Sequence, residues 1–316
     1  MEKAVGIDLG GTFIKTGLTA EDGTLLKSGS FPTLAEKQER DIVLRQMEKA
    51  VDFALEGTGR KVKGIGIGTP GVVDDRGVVF DSPNLPGWEN LDLKSIFEKK
   101  YSLPVTVEND VNTIAWGEFM FGAGRGSDIM ICVTLGTGVG GGIVYRGKLV
   151  RGKKYSAAEI GHITIDHKGP KCKCGNYGCI ERFVGKDYIV ERAVKAIKAG
   201  REKTLIYELA GGSFENITPR LIKEAYSKGD NVAGEILTDV GLCLGALFTS
   251  LVNLLNPDTI VIGGGISQNA GIIFETIEKT IQERAMKKLA ENIRVLPAGL
   301  GNETGIISAG ALVFQK

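Results

Sequence analysis

One short device occurs twice in this chain. An apolar run ends in a glycine-rich turn, and a β-rich run returns from it. Ile7-Asp8-Leu9-Gly10-Gly11-Thr12 and Val133-Thr134-Leu135-Gly136-Thr137-Gly138 align position for position, and residues 13–18 and 140–145 follow as returning strands. Repetition of this kind suggests two related domains facing a shared cleft. A third apolar strand, over 259–262, ends in Gly263-Gly264-Gly265. The chain has 45 glycines, and they gather in such clusters, where backbone must approach something closely.

A glycine turn between strands exposes backbone N–H groups with no side chains in the way, a concave nest for phosphate oxygens. Any one such turn can equally be plain hairpin geometry. Three of them, each directly after an apolar strand and two with a threonine, point to a nucleotide. The string 136–141 also satisfies Gly-x-Gly-x-x-Gly, but such a dinucleotide fingerprint should open a helix, and 140–145 is β-rich. No Gly-x-x-x-x-Gly-Lys-Ser/Thr phosphate loop occurs. Asp8, beside the first turn, is suited to hold Mg²⁺ through water; Lys15 could reach a terminal phosphate or simply face solvent.

Between these turns strands alternate with helices, which implies an α/β fold with covered sheets. Apolar residues at Val43, Met47, Ala50, Val51 and Ala54 predict a helix over about 36–56, and strands are expected at 62–67 and 105–107. Further helices are expected at about 92–100, from Asn109-Asp110 to about 121, and at 184–199, 218–228 and 231–255. We expect a smaller domain over 1–115 plus about 300–316, and a larger one over 116–299 carrying the nucleotide site.

The 316 residues carry 39 basic and 38 acidic side chains, a balance with no electrostatic footprint for nucleic acid or an anionic membrane. No stretch is read as a membrane span and no signal peptide is expected, because the opening apolar run is too short and is followed by Asp8. A reducing cytoplasm is therefore expected, with the five cysteines as thiols or metal ligands. His162, Cys172, Cys174 and Cys179 fall within 18 residues and form a standard Cys₃His zinc set. His167 follows Asp166 in an exposed-looking turn and is the weaker ligand candidate. Glu159 and Glu181 flank the cluster. They could converge with His162 to accept sugar hydroxyls, or be solvated surface charges.

Phosphoryl transfer to an alcohol needs a base near the attacking hydroxyl. Asp110, where the strand at 105–107 meets a helix, with Asn109 beside it, is the candidate. The other role open to it is helix N-cap.

Together these residues resemble the ROK family of repressors, open reading frames and kinases, over essentially the whole chain. The matching segments are Ile7 to Thr12, Gly68-Thr69-Pro70-Gly71, Glu108-Asn109-Asp110-Val111-Asn112 and Leu135 to Gly140. They continue with Glu159-Ile160-Gly161-His162, the run Cys172 to Glu181, and Ile262 to Gly265. The resemblance implies an actin-like ATPase (ribonuclease H-like) fold with two domains around a cleft, and a C-terminal helix packed on the N-terminal domain. It makes Asp110 the catalytic base, and Asn109, Asp110, Glu159, His162 and Glu181 the sugar ligands. ATP phosphates would lie at Asp8, Gly10, Gly11, Thr12, Lys15, Gly136, Thr137, Gly138, Gly263, Gly264 and Gly265. One structural zinc would sit on His162, Cys172, Cys174 and Cys179. The expected reaction is Mg–ATP-dependent phosphorylation of a hexose, glucose to glucose 6-phosphate. An N-acetylmannosamine or other N-acetylhexosamine kinase is the enzymatic alternative, and a non-catalytic sugar-sensing regulator the other. The family's repressors carry an added N-terminal helix-turn-helix domain, which we do not expect here. A homo-oligomer, dimer or tetramer, is expected. The zinc is expected to serve the sugar site and to leave ATP binding nearly independent of it.

Overall fold

A computed structural model describes residues 1–315 apart from 60, 83, 84, 86, 201–203 and 269. The chain divides into two compact units. The first comprises 1–127, 142–158 and 299–316, and the second 128–141 and 159–298. A boundary near residue 115 would cut a helix, as shown below; the chain leaves the first unit at Ser127 instead, and a segment after Gly141 returns to it.

In the first unit the chain runs β1 (Lys3–Leu9), β2 (Phe13–Ala20), β3 (Leu25–Pro32), α1 (Arg40–Leu55), β4 (Ile65–Thr69), β5 (Val72–Val73), β6 (Val78–Asp81) and β7 (Leu91–Asp92). It continues with α2 (Leu93–Tyr101), β8 (Val105–Asn109) and α3 (Asp110–Met120). The main sheet has the order β3-β2-β1-β4-β8, with β1, β2 and β3 antiparallel and β4 and β8 parallel to β1. β1 is buried at every position from Ala4 to Ile7, as a central strand covered on both faces must be. β3 alternates half-buried and exposed, as an edge strand does.

Val5, Ile7 and Leu9 point to a core shared with Val43, Met47, Ala50 and Ala54 of α1. Gly6 points the other way, and its lack of a side chain matters there. A Cβ on Gly6 or on Gly66 of β4 would run into the backbone carbonyls of Ile306 and Ala309 in the C-terminal helix. That helix therefore lies directly on the strands, and the indole N–H of Trp116 in α3 donates to the Ala311 carbonyl at 3.1 Å. The small sheet β5-β6-β7 was not anticipated: its strands are two to four residues long, with a register shift and no periodic signal.

The remaining elements are β9 (Ile129–Leu135), β10 (Val139–Tyr145), β11 (Lys148–Leu149), α4 (Glu181–Val184), α5 (Lys186–Lys198), α6 (Leu205–Leu209), α7 (Pro219–Ser227) and α8 (Asn231–Leu255). After them come β12 (Thr259–Gly263), α9 (Gly271–Arg284), α10 (Lys287–Ala290), β13 (Arg294–Pro297) and α11 (Thr304–Leu312), the C-terminal helix. The second sheet has the order β11-β10-β9-β12-β13, with β12 parallel to both β9 and β13. Strand for strand this repeats the first sheet. The duplication anticipated from the two glycine turns is therefore a duplication of sheet topology.

α8 corrects one expectation: at 25 residues it is long and apolar enough to cross a membrane by length and composition. Its charged residues and its packing argue for a core helix instead. It contains Glu235 and Asp239, and 61% of its most apolar window is buried inside the protein. Gly241 and Gly245 admit Thr276 and Thr280 of α9 against its backbone. Asp230 caps its start, accepting from the Ala233 N–H at 2.8 Å.

Candidate active site

In the first unit, β8 delivers Glu108 and Asn109 to the start of α3, and Asp110 is the first helical residue. Asn109 is the N-cap: its Oδ1 accepts from the N–H groups of Val111 at 2.9 Å and Asn112 at 3.1 Å. Its amide Nδ2 donates to the Gly71 carbonyl at 3.0 Å, tying the junction to the Gly68–Gly71 turn. With the cap supplied by its neighbour, Asp110 is not needed as one, although its Oδ1 also accepts from Val111 N–H at 2.9 Å. Burial pushes the Asp110 carboxyl from its ordinary 3.8 up to about 6, against the pull of that hydrogen bond, and the charge of Asp8 pushes the same way. Asp8 is itself raised, first by burial, with Lys15 opposing and Glu303 adding. Two carboxylates that disfavour each other's charge thus sit at the end of β1 and the start of α3. Lys15, on β2, donates its Nζ to the Asn302 carbonyl at 3.1 Å.

Two residues at this junction were not anticipated. Glu108 is 2% exposed. Its Oε1 accepts from Asn109 N–H at 3.0 Å and Asn112 Nδ2 at 3.1 Å, and its Oε2 from Arg151 Nε at 2.6 Å. Partners 43 residues apart leave no local pattern that a single sequence could reveal. The equally buried Glu118 accepts from the N–H groups of Ala123, Gly299 and Leu300, which fastens two loops of the first unit together.

The first glycine turn is closed by Gly10 N–H donating to Phe13 C=O at 3.0 Å, and Gly11 and Thr12 are exposed. In the second unit the other two turns share one cavity of about 380 Å³, lined by residues 134–140 together with Glu181, Gly264 and Gly265. Two of the three anticipated phosphate turns are thus brought to one place. Lys223 of α7 braces the third from outside, its Nζ donating to the carbonyls of Gly265 and Gln268 at 2.7 Å each.

The loop at 162–179 gathers the Nδ1 or Nε2 of His162 and the sulfurs of Cys172, Cys174 and Cys179 within 4.8 Å of one another. His162 Nδ1 lies 3.7 Å from Cys172 Sγ, and Cys174 Sγ lies 3.7 Å from Cys179 Sγ. Thiolates at about 2.3 Å from a tetrahedral zinc stand about 3.8 Å apart, so the set fits that ion. His162 turns Nδ1 to the sulfurs, which leaves Nε2 for another partner. Burial and the neighbouring thiols push Cys179 up to about 12, whereas the Asn176 N–H pulls Cys174 down. His167 is not among the clustered atoms. Glu159 is exposed and has no hydrogen-bonded side-chain partner among the described residues. Glu181 accepts from Val139 N–H at 3.0 Å.

The ROK family matches residues 4–316. A glucokinase from Thermotoga maritima is 34% identical over 315 residues, covering 99% of this chain and 98% of that protein. A Streptomyces griseus ROK family glucokinase solved in complex with glucose and AMPPNP aligns with a TM-score of 0.83 at 36% identity, covering 99% of this chain and all of that one. The fold also matches a putative N-acetylmannosamine kinase from Listeria monocytogenes, with a TM-score of 0.79 at 27% identity and coverage of 99% of each chain. The duplicated sheets, the paired glycine turns and the acid junction are the frame of an actin-like ATPase. The chain belongs to the ROK family and is an ATP-dependent hexose kinase.

Proposed function

We propose that the hexose is glucose, phosphorylated on its 6-hydroxyl, with Asp110 as the general base. The observation that carries the base assignment is the place of Asp110 as first residue of α3 with the N-cap role already taken by Asn109, and burial, which holds its carboxyl up at about 6, makes it more basic than an ordinary aspartate. In the step, Asp110 takes the hydroxyl proton as the sugar oxygen attacks the γ-phosphorus and the bond to the departing ADP breaks. Asp8 would hold the Mg²⁺ of Mg–ATP, whose positive charge would favour ionised carboxylates at this junction. In the second unit the turns at Gly136 and Gly263 would offer N–H groups to phosphates, and in the first unit the turn at Gly10 and Lys15 are the candidates for that role. The sugar ligands this reading assigns are Asn109 and Asp110 in the first unit, and Glu159, Glu181 and Nε2 of His162 in the second.

His162, Cys172, Cys174 and Cys179 would hold zinc with four protein ligands, and the ion would then supply fixed geometry and no chemistry. Its three cysteine ligands would work as thiolates, which suits a reducing cytoplasm. The support for glucose is the similarity to glucokinases along nearly the whole chain. A panel of hexoses and N-acetylhexosamines with ATP, read by coupled ADP release, tests it. Glucose is expected to give the highest kcat/KM; a higher value for N-acetylmannosamine would overturn the glucose assignment while leaving the kinase.

A further inference from the structure

We infer that Glu181 is a positioning residue for the nucleotide turn as well as a sugar ligand, so that one carboxylate serves both substrates. The inference rests on the nucleotide reading of the cavity at 134–140. Glu181 Oε2 accepts from the backbone N–H of Val139 at 3.0 Å, the residue that directly follows the turn Gly136-Thr137-Gly138. Gly138 makes room for it: a Cβ there would stand 2.5 Å from that same oxygen. The turn is gripped again on its carbonyl side, where Lys186 N–H donates to Gly136 C=O at 3.1 Å. Its own closure, Gly136 N–H to Gly138 C=O at 2.9 Å, lies between these two grips. Both grips come from the stretch that starts at Glu181. Without them the turn is a glycine-rich segment free to sample many shapes, and a nest binds phosphate well only when its N–H groups are pre-aimed.

Glu181 owes its own placement to the cysteine loop. Cys179 and Ile180 immediately before it are fully buried. Ile180 N–H donates to Ile163 C=O at 2.9 Å, next to His162. Zinc ligand, buried anchor and carboxylate thus form one short rigid stretch. Oε2 is committed to the turn, which leaves Oε1 for a sugar hydroxyl. Ordering of this side chain by either ligand prepares it for the other, so sugar and nucleotide should each tighten the other's binding through it. The inference reverses the expectation that the zinc loop concerns the sugar site alone.

The test is titration of the full-length, zinc-loaded protein with AMPPNP in the absence of sugar and again with saturating glucose. Glu181→Ala removes the acceptor and should weaken sugar-free AMPPNP binding about tenfold, the scale of one charge-assisted hydrogen bond. Glu181→Gln keeps an oxygen that can accept from Val139, so most of the nucleotide affinity should return, to within about threefold of wild type. Glucose should lower the AMPPNP Kd of wild type, and this coupling should vanish in Glu181→Ala. Metal analysis should find about one zinc per chain in both variants. Wild-type binding of AMPPNP with an unchanged Kd in Glu181→Ala would overturn the inference and leave the kinase intact. Should the alanine variant not fold, a glutamine variant that loses nucleotide affinity as fully as it loses sugar affinity would also overturn it. Failure of wild type itself to bind AMPPNP would instead remove the nucleotide reading.

Discussion

Replacing Asp110 with asparagine separates its chemical role from its structural cost. The variant keeps size and hydrogen-bonding shape but removes both the base and the buried charge. As the general base, Asp110 is worth about 10²–10⁴-fold in turnover, so Asp110→Asn should lose that factor while still binding sugar. The same burial that raises the carboxyl to about 6 must cost stability. A folded-state value above the unfolded 3.8 means that the native protein holds the proton more tightly than the unfolded chain does. The stabilising contribution is then complete below the unfolded value and is lost as pH rises through about 6.

The gap between 3.8 and about 6 corresponds to ~3 kcal/mol at neutral pH. Because Asp110 is only half-buried, solvent screening reduces this, and about half of it is the reasonable expectation. On the scale of a unit of this size, ~1.5 kcal/mol raises the melting temperature by about 3–6 °C. Asp110→Asn should therefore melt higher than wild type at pH 7.5, with the difference closing toward pH 4, in paired calorimetric scans. The wild-type kcat/KM for sugar should show an acid limb near pH 6 that the variant lacks. A stability gain equal at both pH values would mean that asparagine merely packs better. Turnover within a few-fold of wild type would mean that Asp110 is no base.

Two other perturbations address the metals. Cys174→Ala should abolish bound zinc, weaken sugar binding and, through Glu181, weaken AMPPNP binding as well; metal analysis with both titrations decides, and full affinities in zinc-free protein would refute the scaffold role. Asp8→Asn should raise the Mg²⁺ concentration needed for half-maximal rate and, by removing a like charge from beside Asp110, move the acid limb of kcat/KM to lower pH; an unmoved limb would show that the two carboxylates do not interact.

Much of this was legible in the sequence where local pattern and chemistry coincide. The helix at 231–255 lies where apolar spacing placed it, and the four residues expected to hold zinc converge as their spacing within one loop implied. What stayed hidden depends on contacts between distant segments. Arg151 reaches Glu108 across 43 residues, and Glu118 accepts from Gly299 across 181. Neither acid shows in a single sequence as more than a charged residue near a helix. The division into units was hidden for the same reason: 142–158 joins the first unit by pairing as it does with Glu108 there, with no change in composition to announce it. Glu181 was visible as a candidate acceptor, but its bond to Val139 is a matter of three-dimensional placement alone.

On the proposed function, the duplicated sheets divide the chemistry between them by charge. At equivalent ends of β1 and β9 stand Asp8 in the first copy and Thr134 in the second. Phosphate oxygens need N–H donors and no fixed negative charge close by, and Thr134 with the turn after it meets that demand. A cation site and a base need the reverse, and the first copy half-buries a pair of acids, Asp8 and Asp110, each raised above its ordinary value. Glu181 is the one acid in the cavity of the second copy, and its Oε2 is turned onto a backbone N–H, so part of its charge is spent on the turn before any phosphate arrives. An acid in that cavity without such a donor would repel the nucleotide. On the proposed assignments, the hydrogen bond to Val139 is therefore what would allow a sugar-binding carboxylate to stand beside a phosphate nest.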